Sequence, residues 1–314
     1  MTTPTSALTA RTVHSSVRVA LVVGTILVAI NQGPALFAGR VSPALAVPVA
    51  LTYAVPFLVS LYAAWRAVEG RASTERRPAV PDVTRDQMIE LDRAVVEDYH
   101  IDLMQMMENA GSRLARLARD RFLDGSSLRR RVVVLAGSGN NAGGALAAAR
   151  HLHNWGAEIR VFVAVPPNVL TGVPGRQLEI LRRLGVSIEQ ADAVSATPPP
   201  ELIIDGIIGY RLSGPPRSGA ADLIRWANSQ GAPILALDLP SGLEPTTGAV
   251  LEPAIRAAAT LTLALPKTGL RSSGGKVCGG DLYLADIGVP ARLYAGLGVV
   301  PGGLFAGGEI VRLR

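Results

Sequence analysis

The sequence predicts an α/β domain in three layers, with helices on both faces of a mostly parallel sheet, preceded by a transmembrane helical hairpin. Three observations carry this. From residue 131 onward, short apolar runs alternate with helix-length segments. Strands of a parallel sheet are buried on both faces and read as continuous apolar runs, and the crossovers between them need helices. Near the N-terminus, 21 residues between Arg18 and Arg40 and 25 between Arg40 and Arg66 carry no charge. The 314-residue chain is also 48% hydrophobic and 18% charged, with a mean hydropathy of +0.30. That is too apolar for disorder and more apolar than a water-soluble domain usually is.

Each uncharged run is long enough, at about 1.5 Å rise per residue, to cross a hydrocarbon core of roughly 30 Å. A cleaved secretory signal fits poorly, because the first run has 18 residues before it and a second run directly after it. Arg11 and Arg18 precede the hairpin, Arg66, Arg71, Arg76 and Arg77 follow it, and the turn holds only Arg40. The positive-inside rule then predicts a two-helix inner (cell) membrane protein with both termini and the folded remainder cytoplasmic. The net charge of +6 lies mostly in the first 80 residues, on arginines that flank apolar runs. That placement argues against nucleic-acid binding. Asn31, Gln32, Gly33 and Pro34 interrupt the first run, and Pro43, Pro48 and Pro56 punctuate the second. The two amides either mark a polar path at membrane depth or end a helix at the interface.

Residues 67–83, rich in Arg, Ala, Pro and Glu, have linker composition and separate a hairpin domain (1–66) from a soluble domain (84–314). Thr84, with Gln87 three residues on, predicts a capping box ahead of a helix bearing Met88, Leu91 and Val95. A second helix is expected from Leu103 to about Arg121. Strands follow at Val132–Leu135, Ile159–Val163, Leu202–Ile207, Ile234–Leu237, Thr260–Leu265 and Leu282–Ala285, with a helix over about 144–155. This is a Rossmann-like pattern. The Gly-rich tail, 296–314, reads as loop.

Ligands of such sheets bind in the loops beyond the C-terminal strand ends. Four of those loops carry chemistry. Gly137-Ser138-Gly139-Asn140-Asn141-Ala142-Gly143-Gly144 follows the first strand, where glycines let backbone N–H groups approach a phosphate at a helix N-terminus. As Gly137-x-Gly139-x-x-Ala142, with Glu158 further on, it also matches the loose dinucleotide fingerprint. Asp205 sits in an otherwise apolar strand, which is costly unless the acid is paired or metal-bound. Asp238 leaves its strand into Leu239-Pro240-Ser241-Gly242, and Leu265-Pro266-Lys267-Thr268-Gly269 follows the next strand. Cys278 is the lone cysteine, and His14, His100, His151 and His153 show neither zinc spacing nor a convincing hydride-transfer base.

Met107-Glu108-Asn109-Ala110-Gly111, the Gly139-Asn140-Asn141 loop, Asp238-Leu239-Pro240-Ser241-Gly242, Pro266-Lys267-Thr268-Gly269-Leu270 and Asp286-Ile287-Gly288-Val289-Pro290 together resemble the YjeF N-terminal family, the NAD(P)H-hydrate epimerases, over about residues 84–295. The resemblance implies an isomerase of metabolite repair that interconverts the R and S epimers of NADHX and NADPHX. It also implies a separate NAD(P)H-hydrate dehydratase and a homo-oligomer, a dimer or higher. By the same resemblance Asn141, Asp205 and Ser241 hold a potassium ion. The nucleotide is contacted by Asn140, Asn141, Ala142, Gly143 and Gly144, by Gly209, Tyr210, Arg211, Leu212, Ser213, Gly214 and Pro215, and by Asp238. Asp238 is the expected acid/base. Lys267 is either its electrostatic helper or a phosphate or surface contact.

This chain departs from the family at two places. Gly144 stands where the family has an acid, and Arg211 stands where a glycine is usual. In the hairpin, Val19–Ala38 and Leu51-Thr52-Tyr53-Ala54-Val55-Pro56-Phe57-Leu58-Val59-Ser60 resemble the small NrtS nitrate/nitrite transporter family, whose helices are expected to assemble into a permease. Two readings follow: a membrane-tethered epimerase, or a nitrate/nitrite transporter subunit whose degenerate YjeF-like domain senses a nucleotide.

Overall fold

The computed structural model describes residues 10–39, 43, 46–74, 80–297 and 303–314. The chain divides into two compact units, Met1–Arg77 and Pro78–Arg314.

In the first unit, helix α1 (Ala10–Asn31) is followed by the short α2 (Gly33–Phe37) and the long α3 (Ala46–Thr74), which contains Pro56. Helices α1 and α3 pack as a hairpin. Gly24 leaves room for the Tyr53 ring, since a Cβ there would lie 2.3 Å from Tyr53 Cδ1. Thr25 Oγ1 and Tyr53 Oη share a hydrogen bond of 3.1 Å, and Ser60 Oγ donates to Ser16 Oγ at 3.1 Å. Asn31 is the last residue of α1 and Gln32 lies in the turn after it, the helix-end position. The outer surface is apolar: Val22, Ile30, Val47 and Val59 are each more than 60% exposed. Among the described residues, whose side chains cover 16–31 of α1 and 47–63 of α3, no helix is long and apolar enough to cross a membrane. The expectation of a transmembrane hairpin is thereby reduced to that of a helical hairpin.

The second unit opens with α4 (Arg85–Arg93), started by the expected Thr84–Gln87 capping box, which runs into a five-residue π-helical segment, Ala94–Asp98. Helix α5 (Leu103–Phe122) follows. The alternating part comprises β1 (Arg131–Ala136), α6 (Asn140–Asn154), β2 (Glu158–Val163), α7 (Gly172–Arg183), β3 (Ser187–Gln190), β4 (Leu202–Gly206), α8 (Ser218–Ser229), β5 (Ile234–Leu237), β6 (Ala259–Leu263), α9 (Ser273–Gly279), β7 (Asp281–Ala285), α10 (Ala291–Gly296) and β8 (Ile310–Arg312).

The strands form one sheet in the order β3-β2-β1-β4-β5-β6-β7-β8, parallel except for the antiparallel β7–β8 pair. Both faces are covered, and β1 shows why. Its alternate residues point to opposite sides, Val132 and Val134 into one apolar cluster with Leu114, Leu146 and Leu178, Val133 and Leu135 into the other with Phe162, Leu223 and Ile224. Helix α5 lies against α6 at Gly111, where a Cβ would sit 2.5 Å from Ala147 Cβ. From β1 the chain winds outward through β2 and β3, then returns to β4 and winds the other way. The strand order therefore reverses between β1 and β4, and the crevice for a ligand opens there.

Two strands lie outside the sequence expectation. β3 is an edge strand with the sequence Ser-Ile-Glu-Gln and no apolar run to announce it. β8 lies in the tail read as loop, and Glu309 just before it is held by Arg113 and Arg116, both at 2.8 Å. Helix α6 begins at Asn140, not near residue 144. Strand β6 stops at Leu263, since Ala264 has a φ of +60°.

Candidate active site

Four loops at the C-terminal ends of β1, β4, β5 and β6 meet at the switch point. The first two touch through backbone. A Cβ on Gly137 would lie 2.0 Å from the Ile207 carbonyl oxygen, so only glycine lets the β1 loop approach the β4 loop this closely. Gly139 then caps α6 in extended backbone without a side chain, leaving the N–H groups of the first turn without a side-chain cap.

Asp205 is completely buried in β4. Its Oδ1 accepts from Ser241 Oγ at 2.6 Å and from Ile207 N at 3.1 Å, and its Oδ2 accepts from Ser241 N at 2.8 Å. Ser241 Oγ in turn accepts from Ile208 N at 2.8 Å. The acid thus ties the β5 loop to the β4 loop. Burial pushes its pKa up to about 6 against the pull of these hydrogen bonds. Among the described residues it has no cationic partner. Asn141 flanks the same turn, 3.2 Å from where a Cβ on Gly209 would be, and its buried Nδ2 has no hydrogen-bond partner.

Asp238, one residue past β5, is held in the left-handed region at φ +66° and is 3% exposed. Aspartate visits this region only occasionally, so the position carries some strain. Its N–H donates to Leu261 O at 2.8 Å, which extends the ladder into the turn. Lys267, completely buried, donates from Nζ to Asp238 Oδ1 and to Leu263 O, the latter at 3.0 Å. Lys267 Nζ also lies 5.8 Å from the centroid of the Tyr210 ring. Tyr210 Oη donates to Asp92 Oδ2 at 2.5 Å. Burial raises Asp92, and burial with the neighbouring Asp92 charge raises Tyr210.

These groups surround a cavity of ≈ 230 Å³ whose lining combines Asn140, Asn141, Gly209, Tyr210, Arg211, Asp238 and Lys267 with apolar Met88, Leu103, Met107 and Ile287. Asn109 Nδ2 donates to Ile287 O at 3.2 Å, which fixes the far wall.

The expected nucleotide contacts are therefore only partly brought together. Ala142, Gly143 and Gly144 do not line the cavity. Because α6 starts at Asn140, they form its first turn and pack inward: a Cβ on Gly143 would be 2.7 Å from Val173 Cγ1, and one on Gly144 2.8 Å from Leu237 Cδ2. Leu212 is buried, and Ser213, Gly214 and Pro215 lie beyond the lining. Asp205 and Ser241 sit beneath the cavity, not in its wall. Lys267 is no surface contact. Asp92 was missed by sequence reading, although it falls four residues after Met88 and three before Val95, on the buried stripe of its helix. An acid on that stripe was the available signal.

The family model described as YjeF-related protein N-terminus matches residues 103–269. The chain belongs to this family. An NAD(P)H-hydrate epimerase of Dehalogenimonas lykanthroporepellens is 39% identical over 228 residues, which cover 72% of this chain and 90% of that protein. A bifunctional NAD(P)H-hydrate repair enzyme of Moorella thermoacetica is 37% identical over 68% of this chain, which spans 41% of that longer protein. The crystal structure of a yeast member, ynu0, superposes with a TM-score of 0.63 at 25% identity, covering 74% of this chain and all of the yeast chain. The family model lies wholly within the α/β unit. The names of these relatives do not bear on the hairpin's resemblance to nitrate/nitrite transporters.

Proposed function

We propose that the α/β unit is an NAD(P)H-hydrate epimerase that interconverts the R and S forms of NADHX and NADPHX. The observation that carries this reading is the buried Asp238–Lys267 pair, set at a strained strand end in the wall of a cavity next to the Gly139-Asn140-Asn141 loop. The names of the relatives support it.

In this reading epimerisation at C6 of the hydrated ring runs by loss of the hydroxyl as water after it gains a proton, and by re-addition of water to the other face with loss of a proton. Asp238 is the group placed to move a proton at the ring, and Lys267 compensates its buried charge. The apolar lining from Met88, Leu103, Met107 and Ile287 seats the ring and limits bulk water. Asn140, the uncapped α6 N-terminus and Arg211 face the nucleotide phosphates.

A potassium ion fits the donor set of Asn141, Asp205 and Ser241. These are hard oxygen donors, the acid is buried without a cation, and the Asn141 amide, turned over, presents its oxygen where a nitrogen is now unpartnered. Bound there, such an ion neutralises Asp205 and stiffens the junction of the β4 and β5 loops.

We also propose that the hairpin holds this unit at the inner membrane with both termini cytoplasmic. The exposed apolar side chains on α1 and α3 and the arginines flanking them support this. Homo-oligomerisation and a separate dehydratase complete the proposal. One observation favours the alternative, a transporter subunit with a nucleotide-sensing domain: Arg211, where the family resemblance implies a glycine, lines the cavity beside the Asp238–Lys267 pair. Chiral chromatography of S- or R-NADHX incubated with the full chain in potassium buffer separates the two. Interconversion above the spontaneous rate, lost in Asp238→Asn, is the expected result. Saturable binding without acceleration supports the sensor.

A further inference from the structure

The reaction just described moves two protons, one to the departing hydroxyl and one from the entering water, on opposite faces of the ring. Asp238 with Lys267 supplies a single carboxylate. The cavity contains one more. Asp92, contributed by α4 and not by the sheet, lines the same space. Helix α4 is fixed by its capping box and by Arg85, whose N–H donates to Thr246 Oγ1 at 3.1 Å and whose Nη1 donates to Leu212 O at 3.4 Å. Tyr210 lies between Asp92 and the lysine that pairs with Asp238. Its hydroxyl donates to Asp92 Oδ2 at 2.5 Å, and its ring centroid lies 5.8 Å from Lys267 Nζ.

We propose that Asp92 is the second proton-transfer residue of the reaction, the partner of Asp238. This deepens the epimerase reading and rests on it. In one direction, neutral Asp92 gives its proton to the C6 hydroxyl. The C6–O bond breaks with its electron pair leaving on oxygen, and water departs. A second water then forms a C6–O bond on the other face from its own lone pair and passes its proton to the Asp238 carboxylate. Catalysis of the reverse conversion exchanges the roles, and solvent returns the protons between turnovers. The division of labour needs two carboxylates in different surroundings, and the cavity provides them. Asp238 is tied to a buried ammonium. Among the described residues Asp92 has only a tyrosine hydroxyl as hydrogen-bond partner, with burial favouring its neutral form. The charged and titratable groups facing Asp92 are Tyr210 and Arg211 from the β4 loop, Lys267 from the β6 loop and Asp238 from the β5 loop.

A purely architectural Asp92, anchoring Tyr210, is the competing role, and Asp92→Asn separates the two because the amide oxygen still accepts from Tyr210. The test is steady-state epimerisation of S-NADHX by the full-length chain over pH 5–9, with thermal unfolding as the check on folding. In Asp92→Asn, kcat is expected to fall by about 10²–10⁴-fold with KM within a few-fold of wild type. The alkaline limb of the profile is expected to vanish, and Asp92→Glu to restore part of the rate. Tyr210→Phe removes the hydrogen bond that holds Asp92 down, so the alkaline limb is expected to move to higher pH. A folded Asp92→Asn enzyme with wild-type kcat, or a slower one with an unchanged profile, overturns the proposal and leaves the epimerase reading standing. A folded wild type that binds S-NADHX but does not interconvert it overturns both.

Discussion

The carbonyl oxygen of Ile207 occupies the space that a side chain on Gly137 would need, 2.0 Å from where its Cβ would lie. The β1 and β4 loops meet at this contact, so the cavity depends on it. Gly137→Ala is expected to push the loops apart, at a cost of about 2 kcal/mol or more in stability, with loss of nucleotide binding. Denaturant unfolding and a binding titration of the same preparation check this.

Lys267 is completely buried and its ammonium has Asp238 as its charged partner. Removing one member of such a pair strands the other charge in the interior, a penalty of about 3–5 kcal/mol. Lys267→Met is expected to show it. Adding Asp238→Asn to Lys267→Met is expected to recover part of the loss, so a double-mutant cycle in urea measures the coupling.

Asp205 governs a pH dependence whose sign runs opposite to the usual carboxylate. Burial raises its folded-state value to about 6, from 3.8. Between these values the native protein binds more protons than the unfolded chain, so this group's contribution is fully present below about pH 4 and is lost as pH rises to about 6, by about 3 kcal/mol. Denaturation midpoints in potassium-free buffer are expected to show this slope in wild type and not in Asp205→Asn. Potassium is expected to restore stability above pH 6.

Arg211 is exposed at the cavity edge, its guanidinium 5.7 Å from the Tyr210 ring centroid and its Nε donating to Tyr210 Oη at 3.3 Å. Its remaining donors suit a phosphate. Arg211→Gly is expected to raise KM for NADHX about tenfold, one charge-assisted hydrogen bond, and to flatten the salt dependence of KM.

An acid at Gly144, as the family pattern has it, meets Leu237 Cδ2 at 2.8 Å and Met107 Sδ at 3.7 Å from its Cβ. Gly144→Asp therefore buries a carboxylate among apolar groups in this chain. A fall in melting temperature of several degrees is expected, and differential scanning calorimetry checks it.

Much of the α/β unit was legible because its signals are local. Val132-Val133-Val134-Leu135 is apolar on both faces of a strand, and Thr84 with Gln87 forms its capping box within four residues. The acids Asp205 and Asp238 were conspicuous as charges in apolar runs. What escaped depends on distant partners. β3 and β8 are strands because an edge beside them was open, not because of their own sequences. Asp92 shares the stripe of Met88 and Val95, but its partner Tyr210 lies 118 positions away, beyond the reach of any local pattern. The reach of the glycine loop was overestimated because periodicity does not locate the first turn of α6, which begins at Asn140 and turns Ala142, Gly143 and Gly144 away from the cavity.

The site draws its parts from separate strand ends, and this has a bearing on how such a protein can diverge. Asp238 and Lys267 ride on the β5 and β6 loops. Gly144, in the helix after β1, and Arg211, in the β4 loop, are the positions where the resemblance implies other residues. The buried acid–lysine pair and the glycine loop thus come from different stretches of sequence around one crevice. Changes confined to the segment after β1 therefore leave the Asp238–Lys267 pair in place, whereas a change at Tyr210 in the β4 loop reaches Asp92.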